Sequence, residues 1–158
     1  MKSASKKELV ASILPQNWEE QKGASFSEDD LIDAYFRGKK EERTTNEKLL
    51  HKTFQNNLVT ATGTAERFIH QVKEKGLNVI AALLKVEDVF MFRVMIVVSE
   101  DDYIADSFSD FILMSSTLKS EVDQDTFTIN FSFTYHSDNL SDDCLAADGY
   151  KSKYAGKG

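Results

Sequence analysis

Thr126-Phe127-Thr128-Ile129-Asn130-Phe131-Ser132-Phe133-Thr134-Tyr135 is the stretch on which the fold class turns. Phe127, Ile129, Phe131, Phe133 and Tyr135 share one parity, and Thr126, Thr128, Asn130, Ser132 and Thr134 share the other. Side chains alternate across an extended backbone, so this rhythm predicts a strand over 126–135. One face lies on a core and the other faces water or a polar groove.

On its C-terminal side, Ser137-Asp138-Asn139-Leu140-Ser141-Asp142-Asp143 reads as a polar loop in which Asn139 or Ser141 caps a short helix. Tyr150-Lys151-Ser152-Lys153-Tyr154 reads as a final edge strand whose lysines blunt edge-to-edge pairing, or as a docking strand for a partner. On the N-terminal side, Glu100, Asp101 and Asp102 open a helix extending over about 102–119, with Ile104, Phe108, Phe111, Ile112 and Leu118 inward. Val89 to Val98 is β-branched and aromatic on both parities, as a strand covered on two sides would be. Asn78 to Val86 reads as its hairpin partner across Glu87-Asp88; Ala81, Ala82, Leu83 and Leu84 leave a helix as the alternative.

The first half of the chain has helical period. Ser27 caps a helix whose face is Leu31, Ile32, Tyr35 and Phe36 and whose end is Gly38. Leu50, Phe54 and Leu58 predict a helix over 46–59, Thr60 to Gly63 a break, and Phe68, Ile69 and Val72 a further helix over 64–75 stopped by Gly76. Residues 5–13 suit a short helix ended by Pro15, and 15–26 a connection around Trp18. Helices segregated from strands argue α+β. The expected architecture is N-terminal helices on a small, predominantly antiparallel sheet of three to four strands (78–86, 89–98, 126–135 and, as the fourth, 150–154). The chain reads as one domain over 1–158, with 1–26 as a peripheral arm.

Composition narrows the class. Of 158 residues, 41% are hydrophobic and 28% charged, a globular balance. Cys144 is the one cysteine and cannot form an internal disulfide, which fits a reducing, cytoplasmic setting. The apolar run Leu9 to Leu14 is too short for a signal sequence, and Val89 to Val98, holding Arg93, is too short to span a bilayer. The net charge of -7 is uneven: residues 76–150 carry 3 basic groups (Lys85, Arg93, Lys119) against 14 carboxylates. That half repels phosphate backbones and attracts a basic partner or a cation. The basic group Arg37, Lys39, Lys40 and Arg43 is interleaved with Glu41 and Glu42, so the charge argues against nucleic acid.

No G-x-G-x-x-G or G-x-x-x-x-G-K-[ST] cradle occurs, and no cofactor is expected beyond a divalent cation. Asp102, Asp106 and Asp110 fall at i, i+4 and i+8 with Asp101 beside them, and Asp138, Asp142 and Asp143 follow the last long strand. Such carboxylates suit a hard cation or, more plainly, solvated helix and loop faces. His51, His70 and His136 are scattered, and the carboxylates near Cys144 argue against a nucleophilic pair with His136. No residue pattern resembles a known family. The first functional expectation is therefore a non-catalytic interaction protein, meeting a basic or apolar partner through Glu100, Asp102, Asp106, Tyr150 and Tyr154, with homo-oligomerisation left open. The alternatives are a divalent-metal-assisted hydrolase or transferase using the clustered carboxylates, and a small-ligand site over Asn130, Ser132, Thr134 and His136.

Overall fold

The computed structural model describes residues 14–21, 27–37 and 43–155, so the expected helix over 5–13 and the side chains of the Arg37–Arg43 basic group lie outside the described residues. In chain order the elements are β1 (Trp18–Glu20), α1 (Glu28–Arg37), α2 (Arg43–Glu74), β2 (Val79–Val86), β3 (Met91–Val98), α3 (Glu100–Ile104), α4 (Phe108–Val122), β4 (Thr128–Tyr135), α5 (Asp142–Ala147) and β5 (Tyr150–Tyr154). The class is α+β. Among the described residues the sheet has five strands in the order β1-β5-β2-β3-β4, against the three to four expected. Its β1–β5, β5–β2 and β2–β3 pairings are antiparallel; β3–β4 is parallel, because α3 and α4 carry the chain back before β4 begins.

The alternation in 126–135 resolves as the sequence implies. Ile129, Phe131 and Phe133 join Phe92, Val94, Ile96 and Val98 of β3 on the face covered by the long helices. Phe68 of α2 packs on Phe131 (5.2 Å between ring centroids), and Phe108 of α4 meets Phe133 edge-on (5.5 Å). The opposite face is covered only in part: α5 delivers Leu145 onto Leu83, Val97 and Tyr150.

Four expectations are corrected. The break at 60–63 is absent; α2 runs through Gly63 without interruption. A mid-helix glycine costs about 1 kcal/mol. Burying Leu58, Ala61, Ala65 and Phe68 on one stripe outweighs that, and the Thr62 and Thr64 hydroxyls donate to the Leu58 and Thr60 carbonyls inside the helix. The single helix over 102–119 is two: Ala105 is extended (φ −69°, ψ 144°) and ends α3, and α4 begins at Phe108. Ile104 and Ile112, expected inward, are exposed, whereas Phe108, Phe111 and Leu118 are buried. The connection over 15–26 contains β1, where Trp18 pairs with Tyr154 and donates through Nε1 to Glu66 of α2. The hairpin between β2 and β3 is a four-residue loop, 87–90, rather than the dipeptide Glu87-Asp88.

Candidate interaction surface

β4 is the last strand of the sheet, and its register dictates which backbone groups face outward. Thr128 donates its amide to the Phe90 carbonyl and His136 donates to the Val98 carbonyl. Even-numbered residues therefore bond to β3, and the odd-numbered ones turn N–H and C=O to the outer edge. At Ile129 both outward groups are taken: its amide donates to Asp123 Oδ1 (3.0 Å), and its carbonyl accepts from Lys119 Nζ (3.0 Å). Phe131, Phe133 and Tyr135 have no such side-chain partner among the described residues.

At the C-terminal end of this edge the aromatic core comes to the surface. Tyr135 packs on Tyr103 of α3 (5.2 Å), Tyr103 on Phe108 (5.3 Å), and Phe108 on Phe133. Ile104 beside them is 70% exposed and Leu113 of α4 65% exposed; Ile112 is exposed as well. Large apolar groups so open to water are the kind of surface that partners cover.

Carboxylates frame it. Ser99 caps α3, its hydroxyl accepting from the Asp102 amide, which presents Glu100 and Asp101 to solvent. Asp106 and Asp110 are exposed on the break and the first turn of α4. Asp102 plays a different part: its Oδ2 accepts from the Asn78 amide (2.9 Å) and ties α3 to the start of β2. The i, i+4, i+8 row of Asp102, Asp106 and Asp110 is therefore not one helical stripe, since the helix stops between its first two members. Asp138 and Asp143 are exposed, and Asp142 pairs with Lys153 (3.7 Å). Among the described residues no group of three His, Cys, Asp or Glu could hold a metal ion.

The polar side of β4 is partly spoken for. Arg93 of β3 donates to Ser132 Oγ (3.0 Å) and pairs with Glu87 (3.2 Å). Lys85 Nζ stands 5.9 Å over the Tyr150 ring. Burial raises the Tyr150 phenol above its usual 10.0, with Arg93 opposing. Tyr154 is raised by burial and by Glu66. Of the two tyrosines expected as partner contacts, Tyr150 is buried and Tyr154 is half-buried against Trp18. Asn130 and Thr134 flank Ser132, and His136 is exposed past the strand end.

A cavity of about 360 Å³ lies elsewhere, between Ser27, Asp30 and Leu31 at the start of α1, Leu84 and Val86 of β2, and Lys151. The sequence reading missed it, because residues far apart in the chain line it. The sequence reading named His51 but not its partners: it lies 2.6 Å from Glu28 and within 4.0 Å of Asp29 and Glu47, docking α1 on α2.

The chain matches no family model, no curated protein and no solved structure.

Proposed function

We propose that this chain is a non-catalytic interaction module, one domain over 1–158, whose acidic C-terminal half receives a basic partner surface in a reducing compartment. The observation that carries the reading is the exposed Tyr103–Tyr135 pair, with Ile104 beside it and Glu100, Asp101, Asp106 and Asp110 around it. Apolar anchors inside a polar rim are the anatomy of a partner-binding patch. Carboxylates on the rim speed encounter with a basic surface and make it sensitive to salt. No described helix is long and apolar enough to cross a membrane. Cys144 is free and exposed, in keeping with reducing conditions.

The test uses an array of Lys/Arg-containing peptides against the full chain. Tyr103→Ala, which removes a central anchor, is expected to weaken binding by about tenfold, roughly 1.4 kcal/mol. The double substitution Asp101→Lys with Asp106→Lys lowers the association rate and flattens the salt dependence. Failure of any basic peptide to bind at low salt would overturn the proposal. A ligand-binding reading draws its support from the cavity under α1 rather than from Asn130, Ser132, Thr134 and His136. A saturable thermal shift with a small molecule, abolished by filling the cavity with Leu31→Trp, would favour it.

A further inference from the structure

We infer that β4 is an acceptor strand: an extended, basic segment of a separate protein adds to the outer edge of the sheet along Phe131–Tyr135. The inference deepens the interaction reading above and rests on it. A sheet's two outer strands present unpaired N–H and C=O groups, and proteins ordinarily blunt them with shortness, proline or lysine. The far edge, β1, is blunted by length, having three residues. β4 is not: it is eight residues long, pairs with β3 without a register shift, and has no Lys, Arg or Pro within it.

Its first outward position is closed by Asp123 and Lys119 on Ile129. The outward groups of Phe131, Phe133 and Tyr135 are left without a partner among the described residues. The block is thus placed where the strand begins, and the template opens toward the exposed Tyr103–Tyr135 pair. An added strand gains ladder bonds along the open stretch. Its side chains of one parity fall beside Phe133 and Tyr135, next to Tyr103; those of the other fall beside Ser132 and Thr134. An alternation of apolar with polar or basic residues is what this edge selects.

Charge picks the occupant. Residues 99–125 contain Glu100, Asp101, Asp102, Asp106, Asp110, Glu121, Asp123 and Asp125 against Lys119 alone, and Asp138 follows the strand. Lys119 is already paired with Asp123, and Glu121 with Arg67. A second copy of the chain would bring this acidic frame against itself, whereas a Lys-bearing strand neutralises it.

The probe is a synthetic peptide alternating Val with Lys, offered to the full chain with two backbone-methylated versions. One is methylated on the amides that face β4, the other on those that face away. We expect the plain and outward-methylated peptides to bind at about 20 mM salt, weakening at least about tenfold by about 300 mM. The inward-methylated peptide loses binding, since its ladder donors are gone. Amide exchange at Phe131, Phe133 and Tyr135 slows on binding, while Ile129, already bonded to Asp123, is unchanged. Equal binding of the inward-methylated peptide, with no new protection at the three amides, overturns strand addition and leaves the acidic docking surface standing. No binding by any of the peptides at low salt removes both. If the free chain sediments as a dimer with those three amides protected, the edge belongs to a second copy and the assignment to a basic partner is wrong.

Discussion

Asn57 lies buried in α2, and its Nδ2 donates to two carbonyls, Val89 (3.1 Å) and Thr126 (2.8 Å). One amide thus fastens the loop before β3 and the turn before β4 to the same helix. Asn57→Ala removes both donors, and a carbonyl left dry costs about 1–3 kcal/mol, so a loss of about 2 kcal/mol or more is expected in urea unfolding. A loss under about 0.5 kcal/mol would mean that water replaces the side chain. Tyr150 gives a pH prediction. Its phenol is raised by burial, so between pH 10.0 and its folded value the native state holds a proton that the unfolded chain has lost. The stabilising contribution is whole below pH 10.0 and disappears as pH climbs through the folded value. Tyr150→Phe should flatten the alkaline limb of the stability curve, as followed by denaturant midpoints at rising pH. An unchanged limb would assign the loss to other groups.

Among the elements, α2 departs furthest from its sequence pattern, and the departure makes a prediction. A Cβ built on Gly63 meets nothing within 4 Å, so alanine fits there without strain. Gly63→Ala should raise stability by roughly 0.5–1 kcal/mol, because glycine has more backbone freedom to lose on folding. Destabilisation would show that the helix bends there under a strain that glycine relieves. Gly149 behaves oppositely. Its φ is +102° and a Cβ would lie 3.0 Å from Lys85 Cε, so Gly149→Ala should lower stability by about 1 kcal/mol or more. Calorimetric midpoints of the two variants, moving in opposite directions, check both. Half of the reading of 102–119 survived: the period of Phe108, Phe111 and Leu118 is a helical core stripe. Ile104 fits that period equally well, yet Ala105 ends the helix first, and no glycine or proline in the sequence marks the stop.

At the scale of the whole molecule, the carboxylates are dispersed over separate elements. Asp102 bonds Asn78, Asp142 pairs with Lys153, Asp123 caps β4, and Asp101 and Asp106 face solvent. Millimolar Mg²⁺, Mn²⁺ or Ca²⁺ should accordingly leave the melting temperature within about 1 °C, since only a native-state site with real affinity would raise it. A rise of several degrees would favour the metal-assisted reading and call for ligands beyond these carboxylates.

What the sequence determined is what periodicity encodes locally. Each parity of 126–135 belongs to one face, 89–98 is a strand between two others with Phe92, Val94, Ile96 and Val98 buried, and the stripes at 31–36 and 50–72 are helical. These rhythms survive because burying them dominates the folding free energy of each segment. The tertiary structure alone decided where β4 lies. Nothing local distinguishes an edge strand from an inner one when its residues are Phe, Thr and Ser, so the parallel pairing to β3 and the open outer row followed only from the crossover through α3 and α4. The cavity under α1, the His51 cluster and the helix break at Ala105 are likewise products of assembly, since each depends on groups brought together across the chain or on packing that competes with local preference.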